Sequence, residues 1–151
     1  MVQESAHMLK IALLLALSVS LVMAMDYKEC IGTYRIDPKA TVSLLTSKIT
    51  PENEKQFTEA IDSMNKEKDR VDQATFTLNA KSIEFMMDDG TGNVIKTIAA
   101  ITDSSITDDI IEITTQTVSS SGGDDVSFKL YRHEKSLVLE AHDMPMVLVK
   151  R

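Results

Sequence analysis

From Asp72 to the carboxyl end, apolar residues return at every second position in one short segment after another. No other feature of the chain limits its fold so tightly, because a two-residue period puts successive side chains on opposite faces of a strand and cannot make one face of a helix. Ala74, Phe76, Leu78 and Ala80 take one side, and Thr75, Thr77 and Asn79 the other. Ile83, Phe85 and Met87 mark the next segment, and Val94 to Thr102, Ile110 to Val118, Val126 to Arg132, Leu137 to Ala141 and Met146 to Lys150 follow. The links between them are short and polar or glycine-containing, as in Asp88-Asp89-Gly90-Thr91-Gly92-Asn93 and Ser119 to Asp125. Short links join antiparallel neighbours.

Upstream, Cys30, Gly32, Tyr34 and Ile36 alternate with polar neighbours and define a first strand. Asp37-Pro38 ends it and opens a helix, since proline at the first helical position lacks only an amide that has no partner there. Val42, Leu45 and Ile49 form the apolar stripe of this helix. Thr50-Pro51 repeats the device, and Phe57, Ala60, Ile61 and Met64 carry a second amphipathic helix to about Lys68, with Lys66 to Asp72 as a solvated charged run. The expected fold is mainly β, an antiparallel up-and-down meander of about eight strands with two helices inserted between strands one and two. A twisted sheet of that size removes its exposed edges by closing into a barrel.

The amino terminus reads as an export signal: Lys10, an uncharged and mostly apolar run from Ile11 to Met25, and small residues Val22 and Ala24 before a cleavage point. Residues 1–24 are therefore expected to be a signal peptide and 25–151 a single exported domain, periplasmic or extracellular. The run of 15 residues falls short of the roughly 17 to 25 of a spanning helix, so no stable membrane span is expected after cleavage. Cys30 is the only cysteine, which excludes an internal disulfide. It is expected as a small half-buried residue at the start of the first strand, with an intermolecular disulfide or a reactive thiol as the alternatives.

The chain carries 23 acidic against 16 basic residues, a net charge of −7, and the leader contributes only Glu4 and Lys10 to these. An acidic body argues against nucleic-acid binding, which depends on clustered Lys and Arg to displace counterions. The charge is concentrated: between Lys96 and Lys129 there is no Lys or Arg, while Asp103, Asp108, Asp109, Glu112, Asp124 and Asp125 lie among many Thr and Ser residues. This stretch is either a solubilising outer face or a docking surface for a cationic protein partner.

Residues with catalytic chemistry do not assemble. His133 and His142 fall at opposite ends of one hairpin, about 20 Å or more apart at the rise of a strand, and cannot share a metal. No Gly-x-Ser-x-Gly elbow is present, the pairs Asp88-Asp89, Asp108-Asp109 and Asp124-Asp125 sit near turns, and Asp88 to Asn93 supplies only the beginning of a calcium loop. The sequence is accordingly read as non-enzymatic, with no metal and no cofactor. The inward faces supply the other candidate site. Tyr34, Phe76, Leu78, Phe85, Met87, Ile113, Phe128, Leu130 and Leu139 would either line a pocket for a small hydrophobic ligand or fill the barrel, which at eight strands is just wide enough for either.

The order of elements carries a resemblance. Ile31-Gly32-Thr33-Tyr34-Arg35, a helical pair, then a meander ending Met146-Val147-Leu148-Val149-Lys150-Arg151 resembles the calycin-like proteins, and more narrowly the lipocalin-like domains of small exported bacterial proteins. Gly32-x-Tyr34 is similar to the Gly-x-Trp of lipocalins, with Tyr in place of Trp. Fatty-acid-binding proteins also place two helices after a Gly-Thr-aromatic strand, but their Arg and Tyr near the last strand find no match in Val147-Leu148-Val149-Lys150, so no ligand class carries over. The resemblance implies a calycin-like barrel that binds something small. Two functions follow from the sequence: an exported protein holding a small apolar or amphipathic ligand in its barrel, and an envelope protein-interaction module with a filled core that acts through its acidic Thr-rich surface.

Overall fold

The computed structural model describes residues 26–117 and 125–151. A short helix α1 (Tyr27–Cys30) precedes strand β1 (Gly32–Ile36), after which come α2 (Pro38–Ser47), α3 (Glu54–Lys66) and α4 (Lys68–Gln73). Among the described residues seven strands then follow: β2 (Thr75–Leu78), β3 (Ser82–Asp88), β4 (Val94–Thr107), β5 (Ile110–Thr117), β6 (Asp125–His133), β7 (Ser136–Ala141) and β8 (Met144–Lys150). Every strand is antiparallel to its neighbours in sequence, and β8 returns to pair with β1 through Tyr34 opposite Lys150 and Ile36 opposite Leu148. The sheet is a closed eight-stranded barrel, and the helices lie between β1 and β2 as expected.

Closure fixes which residues face inward, because paired residues share a face and the side-chain period is two. The inner set runs through Tyr34, Phe76, Leu78, Ile83, Ile111, Ile113, Leu130, Leu137, Leu139 and Leu148, all buried in one cluster. Two-residue turns join β4 to β5, β6 to β7 and β7 to β8, and both central residues of the last, His142 (φ 52°) and Asp143 (φ 62°), are left-handed. That geometry matches the twist of a tight hairpin and locks its register. Gly90 and Gly92 supply positive φ in the β3–β4 loop, as the sequence suggested.

The helices are seated by named contacts. Asp37 caps α2 by accepting from the Ala40 amide at 3.0 Å, with Pro38 in the first turn. The buried face of α2 is Pro38, Thr41, Leu44 and Leu45, which corrects the expected stripe of Val42, Leu45 and Ile49: Ile49 lies beyond the helix and is exposed. Leu44 packs on Val138 and Val147, on the outer face of β7 and β8. At α3 the Thr50-Pro51 device opens a turn, not a helix. Asn53 uses its side chain to accept from Thr50 N at 2.7 Å and to donate to the Lys48 carbonyl at 3.0 Å, and helical hydrogen bonding starts only afterwards. The charged run after Lys66 is also more ordered than expected. It forms α4, whose Val71 packs against the barrel core, while Arg70 donates to the Asp88 carbonyl at 2.8 Å and Asp72 pairs with Arg35 at 3.0 Å.

Cys30 corrects a further expectation: it ends α1 and does not begin β1, and it is fully buried where half-burial was expected. Tyr34 donates to the Cys30 carbonyl at 2.8 Å and Tyr27 to the Asn79 carbonyl at 2.5 Å, so α1 is pinned across the barrel end where β1 begins.

Candidate functional site

All nine residues proposed from sequence as a pocket lining belong to the barrel core or pack directly against it. They divide by depth. Leu78, Ile113, Leu130 and Leu139 have 0% exposure, and Tyr34 and Phe76 are nearly as enclosed. Phe85, Met87 and Phe128 are only partly buried, with the Phe85 ring tilted by 39° against that of Phe76 at a centroid distance of 4.7 Å. The described interior around those four residues is packed, and the aromatic side chains give it the dense filling typical of a protein core.

A cleft opens on the outside of the barrel. It has a volume of about 490 Å3 and runs across β4, β5, β6 and β7. Register builds it in rows. Ser105, Glu112, Lys129 and Glu140 are successive cross-strand partners, and Asp103, Thr114 and Ser127 form the row beside them, with Asp125 opposite Gln116 beyond. Asp103, Glu112, Asp125, Glu140 and Asp143 all line this cleft, against Lys129 and His142. Of the acidic residues singled out in the sequence, the fold therefore gathers Asp103, Glu112 and Asp125. Asp108 and Asp109 form the β4–β5 turn outside the cleft, and Asp124 is outside the described residues.

A bulge decides the place of Asp103. Pairing with β5 shifts between Ile101 and Asp103, so Thr102 is the extra residue. Without it, Asp103 would share the inward parity of Ala99 and Ile101; with it, Asp103 stands opposite Thr114 on the outer face. In sequence, Glu140, His142 and Asp143 read as local ligands or a solvated hairpin end and not as part of the acidic stretch, because they lie on another hairpin, and only the register of β6 with β7 brings Glu140 beside Lys129.

The rim of the cleft is stiffened where α2 meets the sheet. Tyr131 donates to Glu140 Oε2 at 2.9 Å, and Lys48, at the end of α2, donates to the Tyr131 hydroxyl at 2.9 Å with its ammonium 5.2 Å from the ring centroid. Burial, reinforced by the Glu140 carboxylate, pushes the Tyr131 phenol well above its ordinary range. Burial also raises Tyr27 to about 12 and moves Tyr34 upward. The unfolded chain releases these protons near the ordinary tyrosine value of about 10, before the folded one does, so stability is fully present below that pH and declines above it. An absorbance titration should find all three tyrosines protonated past the ordinary midpoint, with ionisation and unfolding coincident. Three independent ordinary titrations in a folded protein would contradict the packing described here.

No group of three or more His, Cys, Asp or Glu is arranged to hold a metal among the described residues, and His133 and His142 stand at opposite ends of β7. Asp89 is occupied by Thr91, whose amide and hydroxyl both donate to it, which lowers its pKa. Cys30 has its thiol pushed up by burial, an effect partly opposed by Arg132. No described helix is long and apolar enough to cross a membrane. No family model, curated protein or solved structure matches the chain.

Proposed function

We propose that the protein is an exported, non-enzymatic binding protein that uses its calycin-like barrel as a rigid scaffold and captures a cationic protein partner along the outer cleft of β4 to β7. The observation that carries this reading is the convergence of five carboxylates from four strands and a turn on one cleft of about 490 Å3, beside a barrel centre already occupied by side chains. A surface of one sign steers an oppositely charged partner and fixes its register, and it loses that advantage as salt screens it.

Binding of a Lys- and Arg-rich peptide should weaken steadily with ionic strength. Asp103→Asn combined with Glu112→Gln should weaken it by roughly 3- to 30-fold at low salt, as expected for two exposed charge pairs of a few tenths to about 1 kcal/mol each. Binding indifferent to both salt and these substitutions would rule the reading out.

The partly buried Phe85, Met87 and Phe128 favour a second reading, a small apolar or amphipathic ligand held in the barrel. It predicts ligand-dependent stabilisation by mass action, lost in Phe85→Ala. A stabilisation that survived Phe85→Ala and Phe128→Ala together would exclude this place of binding.

A further inference from the structure

The barrel end pinned by α1 holds a second, smaller recess of about 220 Å3 with the opposite charge. Its floor is apolar, made by Tyr34, Leu137 and Leu148 from the inward set. Its rim carries Arg132, Lys135 and Lys150 against a single carboxylate, Glu29, which pairs with Arg132 at 3.9 Å. Arg132 stands opposite Leu137 and Lys150 opposite Tyr34, so both cations belong to the inward row and crown the core. On a chain of net charge −7, three cations gathered over an apolar floor make a local field opposed to that of the whole molecule.

The backbone makes room for this arrangement. Gly32 has a φ of +154°, and a Cβ there would come within 3.1 Å of Lys150 Cε, so the Lys150 stem lies close over β1 at a position with no side chain. Among the described residues neither Lys135 nor Lys150 has a carboxylate within ion-pair distance, and α1 walls the recess through its fixed Tyr34–Cys30 hydrogen bond.

We propose that this recess binds a small organic carboxylate, with its charged end held by Arg132, Lys150 and Lys135 and a short apolar body resting on Tyr34, Leu137 and Leu148. Lysine and arginine supply only donors, so a ligand must bring acceptors, and below them the Tyr34 ring, Leu137 and Leu148 offer mainly apolar contact, with the Tyr34 hydroxyl already donated to the Cys30 carbonyl. The volume is below the roughly 300–1,000 Å3 of sites for drug-sized ligands, which limits the body to a few carbons.

The test is a two-dimensional amide NMR titration of the protein with sodium hexanoate, run in parallel with hexan-1-ol and with inorganic phosphate. Hexanoate should saturate and shift the amides of Arg132, Ser136 and Lys150, while the alcohol and phosphate bind at least 10-fold more weakly. Arg132→Gln with Lys150→Gln should abolish the saturable response. Lys150→Arg should keep it, and Asp103→Asn with Glu112→Gln should leave it unchanged. Both cation positions have exposed side chains, and unaltered circular dichroism of the variants would show that the fold survives. Equal binding of phosphate would overturn the role of the floor, equal binding of hexanol the role of the cations, and absence of saturation the site itself.

Discussion

Leu130→Ala is expected to destabilise the protein by about 3 kcal/mol and to lower its melting midpoint by roughly 10 °C. Leu130 has 0% exposure and sits in register between Ile111 and Leu139, both themselves buried, so truncation removes contacts that neither water nor a rearranged neighbour replaces. The size of the loss distinguishes two kinds of barrel. In a hollow, hydrated one the deleted methyl groups would already face solvent and their removal would cost well under about 1 kcal/mol. In the packed barrel the variant gains a dry apolar void, which should bind benzene or xenon and recover part of the lost stability. Thermal denaturation with and without benzene checks both halves of the prediction.

The second large effect is expected at Thr41. Its hydroxyl, on the buried face of α2, accepts the Val147 amide at 3.0 Å, and neither residue reaches solvent. Thr41→Val preserves shape but leaves that amide without an acceptor, at a cost of about 1–3 kcal/mol. Thr41→Ser keeps the oxygen and should retain most of the stability. Hydrogen exchange at Val147 gives the local readout: it should accelerate in the valine variant and stay slow in the serine one. An equally stable Thr41→Val protein would mean that α2 is not held to β8 in this way.

Most of the sheet was legible because a half-buried strand writes its period directly into the sequence. From β5 onward the expected and observed strand limits differ by two residues or fewer at each described end. β4 was underestimated: it continues through Asp103, Ser104 and Ser105 to Thr107, a polar stretch that breaks alternation because the bulge at Thr102 exchanges the two faces. Cys30 was misplaced for a related reason. Four residues of α1 are too few to show a helical period, and the parity of Cys30 with Gly32 and Tyr34 imitates the start of a strand.

The acidic cleft was half legible. Charge density between Lys96 and Lys129 pointed to the right strands, but parity alone could not align Glu112 with Lys129 and Glu140. That alignment depends on register. The two-residue turns at Glu134-Lys135 and His142-Asp143 fix part of it, and their left-handed residues carry no glycine that would have announced them. The basic recess was illegible, because Arg132 and Lys150 are distant in sequence and meet at one barrel end only when the sheet closes.

Amide NMR mapping of a hexalysine titration at low salt tests most directly whether the outside of the filled barrel does the binding, as proposed. Shifts should concentrate on Asp103, Glu112, Thr114, Asp125 and Lys129 and fade as salt is raised, with the core amides of Leu130 and Leu139 unmoved. Shifts spread evenly over exposed acidic positions such as Glu54, Asp62 and Asp109, or absent from the cleft, would contradict it.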